Sequence, residues 1–171
     1  MVNTNNKNIT LRALEPSDID FLFDIENDIN LWKYSNRSTP YSKHLLLDYI
    51  KNSSKDIFES RQIKFAISDS KNTPLGFIDL YDFEPMHRRA AIGLVVDYSN
   101  RSLGIGSMSL DLIELYAKNQ LFLNQLYANI ASENKHSIDL FKKHKFIETG
   151  KKTQWNFYDG NYHDEYIFQK I

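Results

Sequence analysis

The apolar run Leu94-Val95-Val96 leads through Asp97 to Asn100 into Arg101-Ser102-Leu103-Gly104-Ile105-Gly106-Ser107. A strand that enters a turn and then a helix leaves unpaired N–H groups at the positive end of the helix dipole. Glycine there lets an anion approach the backbone, and Arg101 adds a full charge. The chemistry this spacing offers is phosphate binding. The same two glycines would also serve a plain tight turn. No Gly-Lys-Ser/Thr closes the loop and no third glycine completes G-x-G-x-x-G, so it is neither a Walker A loop nor a dinucleotide fingerprint.

A second set of candidates is acidic. Asp79, Asp82 and Glu84 lie on or just after the strand-like run Leu75 to Phe83. Residues three apart on an ideal strand face opposite sides. Only one of Asp79 and Asp82 then faces a cleft, unless a bulge intervenes. Asp82 lies nearer the strand's end, where such clefts are expected to open, and is the candidate general base; a solvated acid is the alternative. Glu26 and Asp28 begin a loop that also holds Trp32 and Tyr34. The acids suit a cationic amine and the rings suit the walls of a slot; packing of Trp32 under the loop is the other reading. If Glu26, Asp28, Asp79 and Asp82 converge, the pocket is negative and attracts cations.

These groups need elements to hold them. Ile9 to Leu14 alternates as a first strand. Glu15-Pro16-Ser17-Asp18 starts a helix whose apolar face is Ile19, Leu22, Phe23 and Ile25. Asn27 to Tyr41 reads as loop, and Leu45, Leu46, Tyr49 and Ile50 mark a second helix. Arg61 to Ser68 and Leu75 to Phe83 form a hairpin across the turn Asp69 to Pro74. Arg88 to Val96 is the next strand, and Gly93 within it marks a bulge or a close approach by another backbone. A helix from Ile105 to Asn119, a strand from Gln125 to Ala131, a helix from Asn134 to His144, a short strand from Phe146 to Lys151 and a last strand from Tyr162 to Ile171 follow. The order gives an α+β fold on a mixed sheet.

The chain has 171 residues, enough for one domain with a real core, and shows no repeat or linker. One domain over residues 1–171 is expected, with polar residues 1–8 as a disordered tail. Its 21 Lys and Arg against 22 Asp and Glu argue against a nucleic-acid binder. The absence of cysteine excludes disulfides, thiolate metal sites and a cysteine nucleophile, and no metal site is expected. No apolar run reaches membrane-spanning length and the N-terminus lacks a signal-peptide core, so a cytoplasmic protein without membrane contact is expected.

Arg101-x-x-Gly104-x-Gly106 resembles the R/Q-x-x-G-x-G/A signature of the GNAT superfamily of acetyl-CoA-dependent N-acetyltransferases. Asn134-Lys-His-Ser137-Ile138-x-Leu140-Phe141-x-Lys143-x-x-Phe146 is similar to that family's N-x-x-A/S-I-x-L-Y-x-K-x-G-F helix. His87-Arg88-Arg89-Ala90 and Asp159-Gly160-Asn161-Tyr162 resemble its bacterial spermidine and ribosomal-protein acetyltransferase branch. The resemblance runs from Leu11 to the C-terminus and is strongest from Pro74 to Phe146. It implies a mostly antiparallel sheet splayed between its fourth and fifth strands and flanked by about four helices. It implies acetyl-CoA as co-substrate, with the pantetheine arm on the backbones of Leu94, Val95 and Val96. The pyrophosphate would lie on Arg101, Ser102, Leu103, Gly104, Ile105, Gly106 and Ser107, and Asn134, Phe141 and Lys143 would complete the coenzyme site. Asn134 has a second role open to it, as a helix N-cap.

Three departures bear on the reaction. Phe141 stands where spermidine-type relatives carry a proton-donating tyrosine, and Ala91 where many carry a glutamate base. Ser38-Thr39 replaces an acidic pair before Pro40-Tyr41. The implied activity is acetyl transfer to a primary amine in a ternary complex, aided by proximity and by strand N–H groups as an oxyanion site. The acceptor is a small polyamine, an amino-sugar or a protein N-terminus, and Glu26, Trp32, Tyr34 and Asp79 are its candidate contacts. A non-catalytic acyl-CoA sensor on the same fold is the competing reading. Self-assembly is left open.

Overall fold

A computed structural model of the chain describes residues 2–3, 9–35, 37–53 and 55–171. The N-terminal part contains strands β1 (Val2–Asn3) and β2 (Thr10–Arg12), then helices α1 (Ile19–Glu26), α2 (Ile29–Trp32), α3 (Lys43–Asn52) and α4 (Ile57–Ser60). Strands β3 (Ile63–Ser68), β4 (Pro74–Glu84) and β5 (Arg89–Val96) lead into helix α5 (Ile105–Asn119). Strand β6 (Gln125–Ala131), helix α6 (Lys135–Lys143) and the hairpin of β7 (Ile147–Tyr158) and β8 (Asn161–Lys170) close the chain.

All eight strands join one sheet in the order β1-β2-β3-β4-β5-β6-β8-β7, antiparallel except for β5 and β6. Several expectations are corrected. Part of the supposed tail, Val2–Asn3, pairs with Thr10 and Leu11; the rest of residues 1–8 lies outside the described residues. The loop from Asn27 carries α2, because Asp28 caps its first turn by accepting from Asn30 N at 2.9 Å. Asp56 caps α4 in the same way. The supposed short strand after Phe146 runs on to Tyr158, since β8 offers it a partner along its length.

Side chains alternate across the strands and divide the sheet into two faces. Ile78 and Leu80 of β4, Ala90 and Ile92 of β5 and Leu126, Ala128 and Ile130 of β6 pack with α5 and α6 around Leu110, Leu112 and Ile113. On the other face, Ala66 and Phe77 pack with Leu22, Leu46 and Ile50 of α1 and α3. Alternation puts Lys64, Asp79, Tyr81, Ala91, Gly93, Tyr127 and Asn129 on this second face. Here the apolar layer gives way to polar groups.

The sheet is open at one place. Strands β5 and β6 pair only through Arg89↔Gln125, Ala90↔Leu126 and Ala91↔Tyr127. Beyond Ala91, β5 remains paired with β4 as far as Val96, while β6 remains paired with β8 as far as Ala131. The two strands therefore part, as expected, in a V whose vertex lies at Ala91. With the two-residue β1 counted, they are the fifth and sixth strands.

Candidate active site

The loop at the mouth of the V is shaped by its own side chains. Asp97 accepts from Ser99 N at 3.2 Å and from Asn100 Nδ2 at 3.2 Å, tying the turn after β5. Arg101 Nε donates to Val96 O at 3.1 Å, which holds the exposed guanidinium beside the end of β5. Ser102 and Gly104 both take positive φ, 62° and 80°. At Gly104 that conformation favours glycine, and a Cβ there would meet no protein atom within 4 Å, so its open side faces solvent. Helix α5 makes its first backbone bond from Met108 N to Gly104 O, at 3.1 Å, which leaves the preceding N–H groups unpaired within the helix.

Gly106 has a different function. A Cβ on it would lie 3.2 Å from Leu140 of α6 and 3.6 Å from Leu94 of β5, so it lets the start of α5 pack closely between them. Ile105 is buried while Leu103 is exposed. The hydroxyl of Ser107 lies 2.7 Å from His144 Nε2, and His144 Nδ1 lies 3.4 Å from Asp111 Oδ1. Lys143 and Lys145 line a cavity of about 340 Å³ beside these groups. Neither His144 nor Lys145 carries a recognisable sequence signal, because they join Ser107 only through the packing of α6 on α5. Across the V, Asn134 caps α6 by accepting from Ser137 N at 3.2 Å. Phe141 is buried and meets Phe146 edge to face at 4.9 Å.

The second face of the sheet brings the acids into a different arrangement from the one expected. Glu26 accepts from Lys64 Nζ at 2.8 Å, and Asp79 shares the field of the same lysine. Burial would lower the Lys64 pKa, but Asp79 and Glu26 outweigh it and raise it. Burial raises the Asp79 carboxyl above the usual range, Lys64 pulls it back and Glu26 adds to the rise. Asp79 stands opposite Gly93 in the β4–β5 register, and its carboxylate occupies the space a Gly93 side chain would need. The interior glycine therefore makes room for Asp79 next to the vertex.

Asp82 is placed otherwise. A bulge interrupts the register between Tyr81 and Glu84, and Asp82 takes φ +47°. The bulge turns Asp82 toward Tyr127, whose hydroxyl approaches it at 3.4 Å, so both aspartates share one face. The V opens from Ala91 toward Val96, however, and Asp82 lies past the closed end. The premise that the cleft opens at Asp82's end of β4 is thus corrected. The expected convergence of four acids is halved: Asp28 is spent on capping α2, and only Glu26 and Asp79 meet.

The aromatic candidates flank this cluster. Trp32 Nε1 donates to Glu26 O at 3.0 Å, and the ring is half-buried. It borders a cavity of about 580 Å³ shared with Lys33, Arg37, Trp155 and Tyr158. Tyr34 is exposed, with Lys33 Nζ 5.2 Å from its ring centre. Among the described residues no cluster of His, Asp and Glu is suited to a metal ion, and no helix is long and apolar enough to cross a membrane.

The site thus combines an open V in the sheet, a free helix start at its mouth and a polar face beside its vertex. Known proteins share this architecture. The model of the acetyltransferase (GNAT) domain matches residues 8–147. The spermidine N(1)-acetyltransferase of Vibrio cholerae serotype O1 is 26% identical over 159 residues, covering 93% of this chain and 90% of that protein. The crystal structure of spermidine N-acetyltransferase from Vibrio cholerae in complex with CoA and spermine superposes with a TM-score of 0.86 at 24% identity, covering 95% of this chain and 94% of that one. A dodecameric structure of the Vibrio cholerae enzyme in an intermediate state gives 0.79 at 24% identity, covering 95% of this chain and 93% of that one.

Proposed function

The chain belongs to the GNAT acetyltransferase family, and from that premise we propose that it acetylates a cationic primary amine, a small polyamine first among them, with acetyl-CoA as co-substrate. The observation that carries this reading is the position of Asp79 on the open side of the V, two residue pairs beyond its vertex, in space cleared by Gly93. The spermine held by the Vibrio cholerae enzyme supports a polyamine, and the dodecamer of that enzyme supports self-assembly.

Leu94, Val95 and Val96 present strand backbone toward the gap, where an amide-bearing arm can pair as an added strand. Arg101 and the N–H groups before Met108 face a pyrophosphate, and Ser107 lies within the same loop. Bound acetyl-CoA supplies an activated acetyl thioester. On the amine side, Asp79 pairs with the ammonium and draws off its proton, which frees the nitrogen lone pair for attack; its raised pKa suits a base that must hold a proton. Glu26 keeps Lys64 engaged, so the lysine does not neutralise Asp79 alone.

A panel of diamines, polyamines, amino-sugars and N-terminal peptides, followed by release of free CoA, tests this reading. Turnover led by the polyamines is the expected result. CoA binding without turnover across the whole panel would overturn it.

A further inference from the structure

The residue on β4 that follows Asp79 on the same face is Tyr81, and its partner in the register is Ala91. Ala91 in turn pairs with Tyr127 of β6. A methyl group at position 91 leaves the space above the vertex to Tyr81, which shares this face with Asn129 of β6, near enough for the Asn129 amide to pull the phenol pKa down.

The orientation of that amide is set from behind. Lys152 Nζ lies 3.1 Å from Asn129 Oδ1 and 2.9 Å from Glu165 Oε1. An ammonium only donates, so the Asn129 oxygen faces Lys152 and the amide NH₂ faces Tyr81. Glu165 is itself buried and accepts from Asn156 Nδ2 at 3.2 Å, which anchors the row. The row Glu165–Lys152–Asn129 thus turns an amide N–H toward the tyrosine oxygen. With that oxygen accepting, the hydroxyl proton is left to be donated elsewhere, at the point where β5 and β6 part. Burial, with Asp79 and Asp82 near, pushes the phenol up to about 12 against the lowering effect of the Asn129 amide, so Tyr81 keeps its proton through the neutral range.

We propose that Tyr81 is a catalytic hydrogen-bond donor that stabilises the negative charge developing on the thioester carbonyl oxygen, with Asn129 and Lys152 as its positioning residues. This rests on the acetyl-transfer reading above. In the step, the deprotonated amine nitrogen bonds to the carbonyl carbon and the C=O π pair moves to oxygen, which the Tyr81 O–H and a strand N–H hold. The pair returns, the C–S bond breaks, and sulfur leaves with its electrons as thiolate. The nitrogen loses its remaining extra proton to solvent and the thiolate gains one from it. Tyr81 keeps its own proton throughout.

The test compares the unaltered protein with Tyr81→Phe and Asn129→Leu, using the best amine of the panel. Removing one oxyanion donor costs roughly 100-fold in kcat, so Tyr81→Phe is expected to fall by that order. Calorimetric affinity for CoA and the KM for acetyl-CoA should hold. Because the donor does not titrate in the working range, the pH–rate profile of Tyr81→Phe should drop in parallel without changing shape. Asn129→Leu frees the hydroxyl to turn and should lower kcat to a smaller degree. An unchanged kcat in Tyr81→Phe, or a loss of CoA affinity equal to the loss of kcat, overturns the inference and leaves acetyl transfer standing. An unaltered protein that turns over no amine overturns both.

Discussion

Asp79 is a carboxylate partly withdrawn from water, sharing one lysine with Glu26, whereas Asp82 is exposed and only three positions away. The difference sets their expected roles. Asp79→Asn removes the proton acceptor, so kcat/KM should drop by roughly 100-fold. The rise of rate with pH that follows ionisation of Asp79 should be lost in that variant, leaving only the rise that follows release of the amine's own proton. Asp82→Asn should leave both nearly unchanged. Rate profiles from free-CoA release check this, and the reverse order of effects would return the base to Asp82. Sequence pattern exposes both acids but cannot rank them. Their ranking depends on the end at which β5 and β6 part and on a bulge that resets the alternation after Tyr81. Gly93 was the better clue, since an interior glycine signals a close approach, although what approaches it is the Asp79 side chain and not another backbone. The Tyr81–Asn129–Lys152–Glu165 row was not readable, because it draws on four strands, β4, β6, β7 and β8.

Elements whose signals are local were the most legible. Helix α5 and strand β6 have the bounds their apolar periods suggest. Helices α2 and α4 have four residues each, too few for a period, and only their aspartate caps announce them. The start of α5 carries one prediction. Gly104→Val meets no protein atom but must hold φ near +80°, at a cost of about 1 kcal/mol of stability. Its side chain would also stand before the free N–H groups, so calorimetry should show CoA binding weakened by roughly tenfold or more. A second prediction concerns the joint between β2 and α1. Asp18 is buried and receives Arg12 Nη1 at 2.7 Å, Arg12 Nη2 at 2.8 Å and Glu15 N at 2.8 Å. Burial would raise the Asp18 pKa, but these bonds outweigh it and hold it below the ordinary carboxylate value. A depressed folded-state pKa contributes stability in full above the unfolded value and loses it as pH falls through the folded one. Asp18→Asn should therefore cost about 3 kcal/mol near neutrality, and less in acid, as chemical denaturation at several pH values would show.

At the scale of the whole molecule, the outer strand β7 and its partner β8 expose Ile147, Trp155, Phe157 and Tyr162. An edge with that much apolar surface favours contact with another copy. Sedimentation should give a mass several times that of one chain, and Trp155→Glu should lower it. The fold class was readable from element order alone. The outer strand was underestimated, because the pairing that extends β7 to Tyr158 is made by β8, which comes later in the chain. The short β5–β6 pairing has one more consequence. Three residue pairs are all that stitch β1 to β5 onto β6 to β8, so the sheet has a seam, and each half is a natural unit of cooperative opening. A ligand seated along β5 and against the start of α6 would bridge the seam as an added strand. Amide hydrogen exchange should show two classes of protection in the free protein that merge when CoA is present. The melting temperature should climb with the logarithm of CoA concentration, since only the joined state binds.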